Sequence, residues 1–341
     1  MLPDRVPGRS SSGADRGPAR QHPAAAPPYA VPMAVDRGGY RVGRGLAGAS
    51  KPLGFAVVAG AYLVAGLAAA AVAVALRGQH PLAVTLWADL AATVVVFAVS
   101  TAVANASVYD PYWSVAPAVI VVAWAILGRA DTSISARPVL VVVLVLVWAA
   151  RLTANWAGSW RGLGHEDWRY VQIRDQSAGR APWWLINLTG IQAMPTLVVY
   201  AGLLSAWPAV TVGGARLGLL DAAAVVVTVA AIAIEATADR QLHRFTADPA
   251  NRGRIVDRGL WRYSRHPNYL GEIMFWWGLW LFGLAAAPSW WWTVAGPVVM
   301  VLLFAFVSVP IMDRRSLRRR PAYAEHMRRV PALLPRPRRR S

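Results

Sequence analysis

The sequence predicts an all-α, polytopic membrane protein with about eight transmembrane helices, and its apolar segments allow seven to ten. Two observations predict this class. Hydrophobic residues make up 56% of the chain and charged residues only 15%. Several uncharged stretches also approach the roughly 20 residues that an α-helix needs to cross a bilayer. Buried helices of a soluble protein seldom come in such a series, because each needs amphipathic neighbours that meet the water.

Eight apolar segments are the candidate spans. They are residues 52–76, 82–104, 115–127, 139–150, 183–207, 217–234, 269–287 and 290–311. Two of these segments are short, but uncharged flanks extend them. Many of the 17 tryptophans lie near segment ends, as expected of side chains that anchor a helix at the membrane interface.

The formal net charge of +18 is distributed unevenly along the chain. Among the connections between segments, the odd-numbered ones contain only Arg77, Arg129, Arg137 and Arg216 as basic residues. The remaining Lys and Arg residues lie in the tails, in the even-numbered connections or at helix ends that face them. Because basic residues concentrate on the cytoplasmic side of membrane proteins, we predict that both termini are cytoplasmic. The charge then meets anionic lipid headgroups, which excludes a nucleic-acid partner.

Composition divides the chain into three sections. Residues 1–50 are rich in Pro, Gly, Ser, Ala and Arg and are predicted to be a disordered basic tail, because they cannot bury enough apolar surface to fold. Residues 51–312 form the transmembrane domain, and residues 313–341 form a basic cytoplasmic segment. The chain contains no Cys, which excludes disulfides, thiolate catalysis and Cys-ligated metals.

Polar side chains are concentrated in four stretches, residues 105–114, 151–180, 235–272 and 313–337. On the predicted topology, all four lie at cytoplasmic helix ends or in cytoplasmic loops. Ionisable side chains at membrane depth are costly and usually functional. We therefore expect the four stretches to form one site, with residues 235–312 as its core.

The densest polar stretch is 257–272, in which Pro267 suits the first turn of a helix. Two arginines and a histidine precede this proline, and a helix N-terminus beside arginines favours an anion such as phosphate. After the proline, Asn268, Tyr269 and Glu272 share one helix face, because Glu272 is four and three positions from the other two. The alternative is that the arginines only anchor the helix to lipid. The residues concerned are Arg262, Arg265, His266, Asn268, Tyr269 and Glu272.

The other stretches contain further candidates. Glu235 and Asp239 are one helical turn apart beside His243, but no second spaced His completes a metal ligand set, so we predict ion pairs with the converging arginines and no metal. Tyr112 and Asp110 are candidate proton donors, although an Asp-Pro pair also forms turns. Residues 151–180 are either an amphipathic helix along the membrane or a lid. The tail around residue 323 is predicted to be a short amphipathic helix that folds back over the site.

The block Arg265-His-Pro-Asn-Tyr-x-Gly-Glu272 resembles an uncharacterised family of bacterial membrane proteins in the steroid 5α-reductase and sterol-reductase superfamily. Residues 110–114, 166–170 and 323–337 also match its pattern, and the resemblance covers roughly residues 55–337. It implies a location in the bacterial inner (plasma) membrane. No protein partner is predicted.

This resemblance implies a membrane-embedded, NADPH-dependent reductase that transfers hydride to a polarised double bond of a hydrophobic small molecule or lipid, such as a steroid-like substrate. The early helices lack a match to the Glu/Tyr proton-donor pair of steroid 5α-reductases, so Tyr112 and Asp110 take its place as candidate catalytic residues. The residues that the resemblance implies for NADPH binding are Arg262, Arg265, His266, Asn268, Tyr269 and Glu272, with Asp239, Gln241 and Tyr323 as further candidates.

Two alternatives remain open. Membrane methyltransferases of the isoprenylcysteine carboxyl type have a similar Arg-His-Pro-x-Tyr-x-Gly block and a trailing Tyr…Arg-Val-Pro, but they use S-adenosylmethionine. Asn268, Glu272 and the Asp313-Arg-Arg sequence favour the reductase. The second alternative, a non-enzymatic lipid-binding membrane protein, predicts no nucleotide binding.

Overall fold

Eight long apolar helices dominate the computed structural model, which describes residues 48–127, 136–212 and 216–335. Three short helices connect or follow them. In chain order the helices are α1 (Lys51–Ala75), α2 (Pro81–Ala102), α3 (Ala106–Leu127), α4 (Ala136–Ser159), α5 (Trp168–Ser177), α6 (Trp183–Leu203), α7 (Ala206–Thr211), α8 (Leu219–Ala247), α9 (Pro267–Ala286), α10 (Pro288–Arg319) and α11 (Tyr323–Arg329).

The predicted fold class is confirmed. All helices except α5, α7 and α11 are long and apolar enough to cross a membrane, and the described ranges contain no strand. Helices suit a bilayer because they satisfy their backbone hydrogen bonds internally. The protein is therefore an integral membrane protein whose outer helix faces contact lipid. The predicted N-terminal tail lies outside the described residues, apart from residues 48–50.

Helices α8 and α9 pack against each other at very short distance. A methyl group added at Gly271 would lie 2.7 Å from the Glu235 Cβ atom, and one added at Gly278 would lie 2.1 Å from the Thr228 hydroxyl oxygen. Glycine at these two positions allows the backbones to approach each other, as small residues do between membrane helices. This contact places the polar ends of α8 and α9 side by side.

Aromatic side chains join α4 to α9. The rings of Trp148 on α4 and Phe275 on α9 are stacked with centroids 4.4 Å apart, and Trp276 packs edge-on against both. All three side chains are fully buried. The core of the bundle therefore fixes α4, α8 and α9 relative to one another.

Successive membrane helices run in opposite directions, so the polar connections meet at one end of the bundle. We call this the polar end; it comprises residues 103–105, 160–182, 248–266 and 320–335. The C-terminal segment folds back here, since the backbone N–H groups of Arg265 and His266 donate to the carbonyl groups of Pro331 and Ala332 at 2.9 and 3.0 Å. The predicted return of the tail over the start of α9 is confirmed.

Candidate functional site

An arginine on α4 binds two carboxylates of α8 at the polar end. Arg151 Nη2 lies 2.6 Å from Glu235 Oε1, and Arg151 Nη1 lies 2.9 Å from Asp239 Oδ2. Glu235 and Asp239 are one turn apart on the helix, which lets one guanidinium contact both. The predicted ion pairs therefore exist, with Arg151 as the partner. We call these three residues with Asn268 the arginine cluster.

Several buried polar atoms of the arginine cluster have no hydrogen-bond partner. Asn268 donates from Nδ2 to Asp239 Oδ1 at 3.3 Å, but its Oδ1 atom is unpartnered within the described ranges. The same holds for Arg151 Nε and Glu235 Oε2. Unpartnered buried polar atoms are rare in native proteins. These three residues belong to α4, α8 and α9 and are held together by their contacts with one another and with Asp239, so a buried donor and two buried acceptors are present in one cluster.

Glu272 lies next to this cluster with both of its oxygens engaged. It accepts hydrogen bonds from the indole N–H groups of Trp148 and Trp276, each at 2.9 Å. Its carboxyl group is also hydrogen-bonded to that of Glu235 and lies within electrostatic range of Arg151. The structure thus gives Glu272 a role in joining α4 to α9, and its role in cofactor binding stays a prediction.

A second group, the Asp313 node, consists of Asp313 on α10 and its three partners. Arg265 Nη2 lies 2.6 Å from Asp313 Oδ2, and His266 Nε2 lies 2.9 Å from Asp313 Oδ1. The hydroxyl of Tyr323 donates to the same Oδ1 at 2.9 Å. Burial and the charge of Asp313 raise the pKa of Tyr323, so its hydroxyl keeps the proton that it donates.

Tyr269 lies between the arginine cluster and the Asp313 node. Its ring stacks on that of His266 at 5.3 Å with an interplanar angle of 11°. Its hydroxyl is within electrostatic range of Asp239, Asp313 and Arg169. Residues from three of the four polar stretches that the sequence predicted to converge therefore lie around this tyrosine, and the fourth is linked to it through the contact of Asp110 with Arg169.

Two other predicted cofactor-binding residues lie at the edge of this site. Arg262 is exposed, in the single 3-10 turn Gly259–Arg262. Gln241 accepts a hydrogen bond from the backbone N–H of Leu260 at 2.9 Å. Gln241 thus holds the connection between α8 and α9 in place, whereas the exposed Arg262 side chain has no hydrogen bond or ion pair in the described ranges.

Asp110 faces the polar end. It accepts a hydrogen bond from the Tyr170 hydroxyl at 2.5 Å, and Arg169 Nη2 lies 3.9 Å away. Burial and the charge of Asp110 raise the pKa of Tyr170. The Asp110–Pro111 pair also forms a turn between the 3-10 turn Ala106–Tyr109 and the rest of α3, so both predicted roles are compatible.

Tyr112 points to a different partner from Asp110. Its hydroxyl donates to Asp89 Oδ1 on α2 at 2.6 Å. Nearby, the Thr196 hydroxyl lies 2.8 Å from that of Tyr109 and 2.9 Å from that of Thr93. Tyr112 therefore belongs to a buried hydroxyl network between α2, α3 and α6.

Helix α5 is attached to the start of α3. Glu166 Oε1 accepts from the backbone N–H of Ala106 at 2.9 Å, and Asp167 caps α5 by accepting from Arg169 N at 2.8 Å. Burial by itself would raise the pKa of Asp167. The charge and hydrogen bonds of Arg169 together outweigh burial and hold this pKa below its usual range. The connection is thus an ordered helix that carries Arg169 to the site.

A family model for a protein of unknown function (DUF1295) matches residues 96–330. The chain belongs to this family. An uncharacterised protein of Schizosaccharomyces pombe, C594.04c, is 27% identical over 267 residues, which are 71% of this chain and 76% of the yeast protein. No solved structure matches the chain. DUF1295 membership identifies the chain as a membrane-embedded helical protein of an uncharacterised family, and the comparisons assign it no activity.

The region matched to DUF1295 contains the arginine cluster and the Asp313 node, whereas Asp89 lies outside it. Sequence reasoning assigned no role to Arg151, Trp148 or Asp89. A signal existed for Arg151, since it is a charged residue directly after an apolar segment. The indole partner of Glu272 carries no such signal, because Trp148 is one of many tryptophans in apolar sequence.

Proposed function

We propose that this protein is an NADPH-dependent reductase that transfers hydride to a polarised double bond of a lipid or steroid-like substrate. The observation that carries the proposal is the arginine cluster, with its unpartnered Arg151 Nε, Glu235 Oε2 and Asn268 Oδ1 atoms at the polar end of a membrane bundle. A site at this place is accessible both to a polar cofactor and to a substrate dissolved in the membrane. NADPH would supply the hydride.

The donor and acceptors of the cluster fit the carboxamide and ribose groups of a nicotinamide nucleotide. Arg151 Nε donates, whereas Glu235 Oε2 and Asn268 Oδ1 accept. The ion pairs of Arg151 with Glu235 and Asp239 hold these atoms in fixed positions. Such preorganisation lowers the cost of ordering a ligand.

The residues predicted to bind phosphate do not all fit that role. Arg262 is exposed and available to a phosphate group. Arg265 directs Nε and Nη2 to Asp313 and Nη1 to the Val330 carbonyl, so it acts by holding the C-terminal segment over the start of α9. We assign Arg265, His266 and Tyr323 to positioning of this site.

Of the two candidate proton donors, Asp110 has the better position. Through Arg169 it is connected electrostatically to Tyr269 at the centre of the site. Tyr170 keeps its proton close to Asp110, because its pKa is raised. Tyr112 instead donates to Asp89 in the buried hydroxyl network.

We further propose that the polar end faces the cytoplasm of a bacterial cell, with the protein in the inner membrane. The concentration of basic residues in the connections of the polar end supports this orientation.

The test is a ligand titration of detergent-purified protein, monitored by thermal unfolding. NADPH should stabilise the wild type, by about 2.7 kcal/mol at a hundredfold excess over its dissociation constant, and S-adenosylmethionine should not. Asn268→Ala should lose this stabilisation. The control is Asn155→Ala, which should keep the stabilisation by NADPH. The Asn155 side chain lies on α4 and forms no hydrogen bond in the described ranges.

Two outcomes contradict the proposal. Stabilisation by S-adenosylmethionine alone would support the methyltransferase of the isoprenylcysteine carboxyl type. If folded wild-type protein responds to neither compound, the non-enzymatic lipid-binding protein is the alternative that remains.

A further inference from the structure

A cavity separate from the arginine cluster lies between α5 and the last turns of α10. Its volume is about 400 Å³. The walls combine apolar and basic side chains. These are Ile173, Ile311 and Leu317 on the apolar side and Arg169, Arg314 and Arg318 on the basic side.

The end of α10 carries four positive charges, and Asp167 lies within electrostatic range of one of them, Arg315. Within the described ranges, Arg314, Arg315, Arg318 and Arg319 form no ion pair with Asp or Glu. Two of them contact neutral side chains directly: Arg315 stacks on the Trp168 ring at 3.6 Å, and Arg318 donates to Gln172 at 2.5 Å. Four like charges within six residues repel one another, and a bound anion would offset this repulsion.

The position of these arginines favours a lipid as the source of the anion. Helix α10 is apolar until Met312 and basic from Arg314 onwards, so its arginines lie where a membrane helix meets the headgroup layer. Guanidinium groups bind phosphate in bidentate geometry. The apolar walls of the cavity suit the adjoining acyl chain. A soluble phosphate compound would use the arginines but not the walls.

We propose that this cavity binds an anionic phospholipid, with the phosphate group at Arg314 and Arg318 and the acyl chain against Ile173, Ile311 and Leu317. The lipid site shares no residue with the arginine cluster. It does share Arg169, which the proposed function uses to connect Asp110 with Tyr269, so the test substitutes Arg314 and Arg318 and leaves Arg169 unchanged. A bound lipid would connect α5, which carries Arg169, to α10, which carries Asp313.

The experiment compares phosphatidylglycerol with phosphatidylcholine of the same acyl chains, added to the detergent-purified full chain and monitored by thermal unfolding. Phosphatidylglycerol should stabilise the wild type at a lower concentration than phosphatidylcholine. In Arg314→Gln/Arg318→Gln, the concentration of phosphatidylglycerol required should rise by about tenfold or more, since each basic residue near anionic lipid contributes about 1 kcal/mol.

The matched control is Arg240→Gln/Arg244→Gln, which removes two exposed charges from the end of α8 at the same side of the bundle. This variant should keep the wild-type preference for phosphatidylglycerol. An equal loss in both variants would reduce the effect to general charge attraction and overturn the site.

Inorganic pyrophosphate and NADPH are added in parallel to test whether the ligand is a soluble phosphate compound. Stabilisation by either that depends on Arg314 and Arg318 would replace the lipid by a soluble phosphate compound and overturn the proposal. If the double variant does not fold, Arg314→Gln alone is the test. The Arg314 side chain has no hydrogen bond in the described part of the chain, and its loss should shift the phosphatidylglycerol response by about threefold or more.

Discussion

At the scale of single residues, Asp313 joins three buried side chains at the polar end. It binds Arg265, His266 and Tyr323, and the Asp313 and Arg265 side chains are only 7% and 9% exposed. Asp313→Asn would leave the Arg265 charge buried without compensation. We expect a loss of about 3–5 kcal/mol in the free energy of unfolding.

This prediction is checked by thermal or denaturant unfolding in detergent, with Glu325→Gln as the control. Glu325 pairs with Arg328 and Arg329 at the surface, where its side chain is 45% exposed. Its substitution should leave stability nearly unchanged, because solvent screens ion pairs at the surface. Equal effects of the two substitutions would show that the Asp313 node does not hold the tail.

Asp313 also shows why the site could be predicted only in part. The Arg-His pair at 265–266 was singled out by its density of polar groups, which suggested phosphate binding. The structure gives Arg265 a carboxylate 48 positions away along the chain instead. A sequence shows which charges are available, but it does not show which of them neutralise one another after folding.

Asp167 provides a pH-dependent prediction at the same scale. Its pKa is lowered in the folded protein by the charge and hydrogen bonds of Arg169, which outweigh burial. Its contribution to stability is therefore present above the usual aspartate pKa of about 4 and is lost as the pH falls through its lower, folded-state value. Because Asn also caps helices, Asp167→Asn isolates this charge-dependent part.

The measurement is the melting temperature of wild type and Asp167→Asn as a function of pH. The wild type should be the more stable protein near neutral pH, and the difference should shrink below about pH 4. Asp175→Asn, an exposed carboxylate with no ion pair in the described ranges, is the control. A difference that does not vary with pH would contradict the role of Arg169.

At the scale of helices, the contact between α8 and α9 determines the geometry of the arginine cluster. A methyl group at Gly271 would lie 2.8 Å from the Ala231 carbonyl oxygen, and backbone atoms do not move aside easily. We expect Gly271→Ala to lower the free energy of unfolding by about 1–3 kcal/mol. Since Glu235 also contacts this position, ligand binding at the cluster should weaken as well.

Gly60→Ala on α1 is the matched control for this substitution, because nothing lies within 4 Å of the added methyl group. Alanine is the better helix former by about 1 kcal/mol, so this variant should be neutral or slightly stabilised. Unfolding measurements on both variants check the prediction. A neutral Gly271→Ala would mean that α8 and α9 are separated more widely than described.

Helix positions were easier to predict than helix ends. Each predicted apolar segment corresponds to a helix, because a chain in lipid must satisfy its own backbone groups. The predicted and observed helix ends differ where charged residues begin. The fourth segment was ended at residue 150, before Arg151, yet α4 continues to Ser159 because Glu235 and Asp239 stabilise that arginine inside the bundle.

At the scale of the whole molecule, the distribution of charge and the alternation of helices agree on one polar end. The four polar stretches were predicted to meet there, and Tyr269, Asp110, Asp239 and Asp313 are electrostatic neighbours or connected through Arg169. This convergence follows from the topology alone, because even-numbered connections share one side. The pairing within the site depends on side-chain packing and could not be predicted in this way.

The same topology gives a prediction about orientation. The chain contains no Cys, so single-cysteine variants report one position each. Gln79, between α1 and α2, and Asp257, between α8 and α9, are exposed at opposite ends of the bundle, since five membrane helices separate them. With the polar end in the cytoplasm, a membrane-impermeant maleimide should label Gln79→Cys in intact cells. Asp257→Cys should be labelled only after permeabilisation.

Each result of this labelling decides a different point. The reverse pattern would preserve the eight-helix fold but place the arginine cluster and both termini outside the cytoplasm, away from the cytosolic NADPH that the proposed reductase requires. Labelling of both positions from the same side would contradict an odd number of crossings between them, and with it the convergence of the polar connections. The expected pattern would place the unpartnered atoms of Arg151, Glu235 and Asn268 on the side where a soluble nucleotide can reach them.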